Sequence, residues 1–215
     1  MEINLSSVGK RYGLEWIFRN IDFNFKSGYS YALTGHNGSG KSTLLKMLSG
    51  GLSPSEGKLN FVREGKELSQ VQIAEEVTYA APYIHLIDDF TLQEMLEFHF
   101  RFKEVTVSQQ VFMDILGLEA HKNKPISKFS SGMMQRLKLC LAILTKSGIL
   151  LLDEPTSYLD EKAVQWYRHL LAENLQNRLV IIGSNQTHEY SFITGSILHV
   201  PDFKYQKKAK YGAQL

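Results

Sequence analysis

Two spacings of apolar residues alternate along this chain. Runs of consecutive apolar residues predict buried strands at residues 29–34, 149–152, 179–182 and 197–200. Apolar residues three or four positions apart predict helices after residue 43, from about 91 to 102, from 111 to 116, and up to about 146. Buried strands that alternate with helices indicate an α/β fold with a mostly parallel sheet.

The first 30 residues follow a different pattern. Apolar and polar positions alternate there around turn signals at Tyr12-Gly13 and Ser27-Gly28, which predicts short antiparallel strands. Further strands are expected at residues 58–62 and 77–80. The N-terminal part should therefore form an antiparallel β subdomain beside the parallel sheet.

Local signals mark several helix ends. Thr91 and Glu94 have the spacing of a capping box, Gly117 is a typical helix stop, and Asp160 is a favourable N-cap. We expect one domain over residues 1–215, with its core formed by residues 1–80 and 147–215. Residues 81–146 should form an inserted α-helical subdomain.

Composition narrows the function classes. The chain has 215 residues, of which 43% are apolar and 21% charged, as is usual for a globular domain. A net charge of +2 gives no argument for a nucleic-acid partner, so none is expected. A single cysteine, no N-terminal leader and no apolar run of 18 residues predict a cytoplasmic protein.

Residues 35–43 fit the phosphate-loop pattern G-x-x-x-x-G-K-[ST], between a predicted strand and a predicted helix. Glycines let the backbone N–H groups approach phosphate oxygens, and the following helix presents its positive end. Lys41 should reach the β and γ phosphates, and Ser42 should ligate Mg²⁺. The predicted nucleotide-binding residues of this loop are Gly35, Asn37, Gly38, Ser39, Gly40, Lys41, Ser42 and Thr43.

Two carboxylates follow the strand at residues 149–152. Parallel strands end at the sheet edge where ligands bind in open α/β folds, so Asp153 and Glu154 should lie near the phosphate loop. We expect Asp153 to orient the magnesium shell with Ser42, and Glu154 to polarise the attacking water. No Asn-Lys-x-Asp segment follows a late strand, so the sequence offers nothing that would select guanine.

Several ordered motifs resemble the nucleotide-binding subunits of ATP-binding cassette (ABC) transporters, which have a P-loop NTPase fold. Besides the two segments above, residues 129–136 (FSSGMMQR) are similar to the family's Leu-Ser-Gly-Gly-Gln signature. Residues 157–160 (SYLD) resemble its D-loop, and residues 10–13 (KRYG) its adenine-stacking segment. The resemblance implies that Tyr12 stacks on adenine and that Ser130, Ser131 and Gly132 contact a γ-phosphate.

The resemblance also implies partners. Two copies, or one copy and a paralogous ATPase subunit, should form a head-to-tail dimer that encloses two ATP molecules. Each site would combine one chain's phosphate loop with the other chain's signature. A separate transmembrane permease should dock near residues 83–90 and hold the protein at the inner face of the membrane. ATP hydrolysis with Mg²⁺ would then power transport.

Two alternatives concern the kind of ABC protein. The compact length resembles the small bacterial exporters, including the heme-exporter ATPase of cytochrome c biogenesis. The other interpretation is a non-transport ABC ATPase that acts in translation or DNA repair. Those proteins usually carry two cassettes or a long coiled-coil insert, and neither occurs here.

The chain departs from the family pattern at three places. Ser131 and Met133 replace a glycine and a glutamine of the signature. The family's glutamine after residues 79–80 is missing, and its position is taken by Pro82 or Tyr83. Counting from the last predicted strand puts Asn185 at the family's switch histidine, with His188 as the other candidate. We therefore expect ATP binding to be retained and isolated turnover to be slow.

Overall fold

The computed structural model describes residues 1–175, 177–191 and 193–204. An antiparallel sheet of order β2-β1-β4-β5 is formed by β1 (Glu2–Tyr12), β2 (Glu15–Lys26), β4 (Glu56–Arg63) and β5 (Lys66–Glu67). The prediction of short N-terminal strands was wrong in length, because β1 and β2 span 11 and 12 residues. The register of the β1–β2 pairing shifts several times within the part of β1 that runs from Leu5 to Arg11, and these shifts bend the two strands.

A second sheet contains only parallel pairs, in the order β6-β7-β8-β3-β9. Its strands are β3 (Ser30–Thr34), β6 (Val77–Ala80), β7 (Ile149–Asp153), β8 (Leu179–Gly183) and β9 (Ile197–His199). Every residue of β3, β7 and β8 is buried, which agrees with their continuous apolar sequences. The two sheets confirm the predicted fold class.

The strand predicted at residues 197–200 is not fully buried. Among the strands of the described residues, β9 pairs only with β3, and both Ile197 and His199 are exposed. Val200 begins a 3₁₀ helix, Val200–Phe203, instead of continuing the strand. An edge position accounts for the exposure, and sequence alone does not reveal which strand lies at an edge.

Six α-helices occur among the described residues. They are α1 (Lys41–Leu48), α2 (Gln70–Glu76), α3 (Leu92–Phe102), α4 (Gln109–Leu116), α5 (Ser131–Ile143) and α6 (Glu161–Glu173). The sequence analysis did not predict α2, in which Ile73 alone is buried. Within the described part of the chain, no helix is long and apolar enough to cross a membrane.

The predicted helix signals operate in the structure. Thr91 and Glu94 form both halves of a capping box on α3, Gly117 adopts φ 68° after α4, and Asp160 accepts a hydrogen bond from the Ala163 N–H on α6. α5 ends three residues before the predicted limit of 146. Arg178 caps this end, because its Nη1 donates to the carbonyl of Ile143 at 2.7 Å.

The two faces of the parallel sheet pack against different layers. Leu150 and Leu152 face a core shared with α3, α4, α5 and α6, whereas Ile149 and Leu151 face α1 and the antiparallel sheet. Side chains of consecutive strand residues point to opposite faces, so β7 contributes to both cores. This burial fixes the carboxyl ends of β3, β7 and β8, where the candidate site lies.

Candidate nucleotide-binding site

The predicted phosphate loop connects the end of β3 to the start of α1. Gly40 has a φ of 106°, a left-handed conformation that favours glycine. A Cβ atom on Gly40 would lie 2.6 Å from Cγ2 of Ile17, which leaves no room for a side chain. The backbone of the loop therefore has the conformation and the space that a close approach to phosphate requires.

The loop forms one side of a cavity of about 200 Å³. The lining residues are Ile17, Asn37, Gly38, Ser39, Gly40, Lys41, Ser42, Thr43 and Glu154. Glu154 thus lies beside the phosphate loop although 110 residues or more separate them in the chain. Ile17, on β2, was not predicted, since nothing in an alternating strand distinguishes a residue beside a ligand from one in a core.

Lys41 carries the positive charge of this cavity. Its side chain is buried, and Nζ donates hydrogen bonds to the carbonyls of Gly35 at 2.6 Å and His36 at 3.4 Å. Burial lowers the pKa of Lys41, and the nearby carboxylates of Glu154 and Asp153 oppose that decrease. The ammonium group is consequently held across the loop, where phosphate oxygens would neutralise it.

Asp153 ends β7 and is almost completely buried. Its Oδ2 accepts hydrogen bonds from the hydroxyls of Tyr83 at 2.9 Å and Tyr79 at 3.5 Å. Among the described residues, Oδ1 has no hydrogen-bond partner. Burial raises the pKa of Asp153, and hydrogen bonds from Ser42 and Tyr83 partly offset the rise. Ser42 and Asp153 therefore lie together.

Glu154 follows Asp153 in an unusual backbone conformation. Its φ is 44°, which is uncommon for a residue with a side chain, and its N–H donates to the carbonyl of Gly183 at 2.8 Å. Ser157 donates from Oγ to Oε2 of Glu154 at 3.4 Å. These contacts turn the carboxylate away from the strand direction and toward the phosphate loop.

The two candidates for the switch position lie in different surroundings. Asn185 is exposed and donates from Nδ2 to Oδ1 of Asn37, in the phosphate loop, at 3.0 Å. His188 lies in the 3₁₀ helix Thr187–Glu189, with Nε2 3.3 Å from Oγ1 of Thr156. Asn185 therefore contacts the phosphate loop, and His188 contacts the turn after Glu154.

Glu189 was missed by the sequence analysis. Its carboxylate is buried, and Oε1 accepts hydrogen bonds from the backbone N–H of Thr156 at 2.7 Å and from the Thr156 hydroxyl. The contact joins the loop after β8 to the turn after β7. No sequence signal marked Glu189, because an acidic residue in a polar loop is usually solvated.

The segment that resembles the ABC signature lies at the start of α5. Ser130 is the N-cap, and its side chain accepts a hydrogen bond from the Met133 N–H at 3.2 Å. Gln135 donates to the carbonyl of Pro155 at 2.8 Å, which ties α5 to the turn after Glu154. None of Ser130, Ser131 and Gly132 is among the described residues that line the phosphate-loop cavity.

Tyr12 also lies outside the lining of that cavity. It ends β1 with 53% of its side chain exposed, and Nζ of Lys10 is 5.5 Å from the ring centroid. The ring face is accessible to a planar ligand. At the position of the missing family glutamine, it is Tyr83, not Pro82, that directs a polar group at Asp153.

A phosphate loop between a parallel strand and a helix, with two carboxylates at the end of a neighbouring strand, defines a P-loop nucleotide-binding protein. The family model described as "ABC transporter" matches residues 18–157. The chain belongs to the ABC transporter family. It is an ATP-binding subunit and an ATPase whose hydrolysis of ATP powers transport.

Curated relatives and solved structures agree with this assignment. The chain is 32% identical to "Uncharacterized ABC transporter ATP-binding protein YybJ" of Bacillus subtilis (strain 168) over 191 residues, 87% of each chain. It is 30% identical over 208 residues to "Lantibiotic transport ATP-binding protein SrtF" of Streptococcus pyogenes, covering 94% of this chain and 84% of the relative.

Among solved structures, a putative ABC transporter ATP-binding protein from Pyrococcus furiosus superimposes with a TM-score of 0.78. The match covers 95% of this chain and 100% of that chain, at 22% sequence identity. This similarity concerns the fold. It agrees with the parallel sheet, the antiparallel sheet and the intervening helices described above.

Proposed function

We propose that the chain binds Mg-ATP in the phosphate-loop cavity and hydrolyses it within a head-to-tail dimer that drives a separate permease. The observation that carries the proposal is the cavity itself. It combines the phosphate loop, the buried ammonium of Lys41 and the carboxylate of Glu154 in about 200 Å³. A triphosphate brings several negative charges, and these residues supply the charge and the donors that it needs.

The residues beside Lys41 suit a magnesium ion. Oδ1 of Asp153 is a buried carboxylate oxygen with no partner in the described part of the chain, and Ser42 lies beside that carboxylate. Magnesium prefers hard oxygen ligands and usually keeps several waters. When bound, the ion would neutralise negative charge that develops on the phosphates during hydrolysis. Ser42 would ligate it, and Asp153 would orient its shell.

Two further side chains are proposed to act on the reaction. Glu154 reaches the cavity from the end of β7, where its carboxylate can polarise an attacking water. Asn185 is held beside the loop by Asn37, where its amide can donate to the γ-phosphate. An amide carries no positive charge, so we expect less stabilisation of the transition state than a protonated histidine gives.

A second ATP-binding subunit would complete the site. Ser130, Ser131 and Gly132 lie at the N-terminus of α5, outside the cavity of their own chain. The backbone N–H groups there suit an anion, and a partner's γ-phosphate would supply it. The partner can be a second copy or a paralogous subunit. Tyr12 would stack on the adenine, since its ring is exposed.

ATP-binding subunits of this family work with membrane transporter components. For this chain, we propose that a permease docks on the helical subdomain, residues 81–146. Residues 1–80 and 147–215 would form the nucleotide-binding core. Large apolar side chains are exposed in the helical subdomain: Ile87 is 39% exposed, Phe98 41% and Phe102 66%. A permease would cover them and hold the protein at the cytoplasmic face of the membrane.

The transport names of YybJ and SrtF favour this function over a role in translation or DNA repair. SrtF is named for lantibiotic transport, so a lantibiotic is one cargo to test for this chain. The resemblance to the heme-exporter ATPase stays a prediction. Because the permease selects the cargo, the experiment on this chain measures the binding of nucleotide.

Calorimetric titration of ATP with Mg²⁺ tests the proposed site. We expect Lys41→Ala to abolish tight binding, because the triphosphate loses the buried ammonium group at its centre. Lys66→Ala, on the exposed strand β5, is the matched control and should bind as the wild type does. Equal affinities for wild type and Lys41→Ala would overturn the site.

A further inference from the structure

Two tyrosines form a hydrogen-bonded group on one oxygen of Asp153. The hydroxyl of Tyr83 donates to Oδ2 at 2.9 Å, and that of Tyr79, in β6, lies 3.5 Å from the same oxygen. The two hydroxyls also contact each other. Thus Oδ2 has phenolic partners, whereas Oδ1 has none among the described residues.

The ring of Tyr83 is held independently of its hydroxyl. Nζ of Lys46, on α1, lies 4.2 Å from the centroid of the ring. This contact connects the helix that follows the phosphate loop to the segment that follows β6. A phenylalanine would preserve the ring and its cation contact, so packing alone does not require the hydroxyl.

The other oxygen of Asp153, Oδ1, lies beside Gly183, where there is no room for a side chain. A Cβ on Gly183 would be 3.2 Å from Oδ1 and 2.6 Å from Cδ1 of Leu45. The carboxylate therefore has one oxygen that accepts hydrogen bonds from hydroxyl donors and one buried oxygen that has no partner in the described part of the chain. Hydrogen bonds to one oxygen of a carboxylate restrict its rotation and orient the other.

We propose that Tyr83 is a positioning residue for the magnesium site, which holds Asp153 through Oδ2 and leaves Oδ1 for the hydrated cation. The inference rests on the proposed function, since it concerns the same Mg-ATP site. A tyrosine hydroxyl thus replaces a side-chain amide at this position of the sequence. Tyr79 supports the arrangement by its contact with the Tyr83 hydroxyl.

The experiment measures ATP binding and not turnover. The dissociation constant of a fluorescent ATP analogue is determined in EDTA and in excess Mg²⁺. The constant in EDTA divided by the constant in Mg²⁺ reports the coupling between nucleotide and metal. Tyr83→Phe should lower this ratio roughly tenfold or more, because the loss of an outer-shell partner commonly costs 10–100-fold in metal affinity. The constant measured in EDTA should not change.

Two further variants separate positioning from packing. Tyr29→Phe removes a hydroxyl from an exposed tyrosine before β3 and should leave the ratio at its wild-type value. In an Asp153→Asn background, Tyr83→Phe should have no additional effect, because Tyr83 acts through that carboxylate. A further drop in the double variant would overturn the assignment.

The outcomes for the two proposals differ. A wild-type ratio near one would overturn the magnesium site, and the role of Tyr83 with it. A wild-type ratio well above one that Tyr83→Phe leaves unchanged would overturn the role of Tyr83 alone. An equal loss of affinity in EDTA and in Mg²⁺ would show that Tyr83 only supports the fold.

Discussion

Asn185 and Asn37 are joined by a hydrogen bond of 3.0 Å from Nδ2 to Oδ1. The contact connects the loop after β8 to the phosphate loop, across 148 residues of sequence. Because Asn37 lines the cavity, this hydrogen bond holds Asn185 next to a residue of the cavity wall. His188, which is only three residues further on, is directed at Thr156 instead.

Asn185→Ala should lower turnover by roughly 10²-fold with little change in ATP affinity, because one preorganised donor to the transition state is lost. His188→Ala is the matched control and should retain nearly wild-type turnover. Single-turnover ATP hydrolysis at saturating protein measures both. The reverse ranking would assign the switch role to His188.

Glu154→Gln should stop hydrolysis while ATP binding continues. Glutamine keeps the size of the side chain but cannot accept a proton, so we expect turnover to fall by roughly 10²–10⁴-fold. The closed dimer should then persist with Mg-ATP, and light scattering measures its mass. Adding Lys41→Ala should return the protein to monomers. Monomers alone for Glu154→Gln would contradict dimerisation without the permease.

Tyr12→Ala should weaken ATP binding by about 1–3 kcal/mol, the usual value for loss of an aromatic stack on a base. Tyr29→Ala, at another tyrosine of similar exposure, should bind as the wild type does. Titration with ATP and with inorganic triphosphate separates the contributions. If Tyr12→Ala weakens both ligands equally, Tyr12 does not contact adenine.

His99 should make stability depend on pH. Burial, with a smaller contribution from Lys103, lowers the pKa of His99 from 6.5 to about 4. Between these values the unfolded chain binds a proton that the folded chain does not. The contribution is therefore present above pH 6.5 and is lost as the pH falls toward 4.

We expect His99→Gln to reduce this loss by about 1–2 kcal/mol, less than the full shift implies, because the imidazole is partly exposed. Urea unfolding at pH 7 and at pH 4.5 measures the difference. His85→Gln, at an exposed histidine, should keep the wild-type difference. Parallel stability curves for wild type and His99→Gln would show that His99 titrates normally.

Features encoded by neighbouring residues could be predicted from the sequence. The phosphate loop, the Thr91 capping box and the strand that ends in Asp153 each lie within a few residues, so their signals are local. The order of the motifs then gave the family. The structure agrees with these expectations because local preference and tertiary packing favour the same conformation there.

Features that depend on distant partners could not be predicted. Arg178 caps the end of α5 from 35 residues away, and Tyr83 reaches Asp153 across 70 residues. Whether an apolar strand such as β9 is central or at an edge depends on the order of the whole sheet. Residues 205–215 are outside the described part of the chain.

The buried contact between Thr156 and Glu189 has a consequence for evolution. Oε1 of Glu189 accepts from both the backbone N–H and the hydroxyl of Thr156, so replacing Glu189 alone leaves both donors without this acceptor. Relatives with a different residue at one position should therefore carry a compensating residue at the other. Sequence covariation between these two positions, 33 residues apart, would record the attachment of the loop after β8 to the turn after β7.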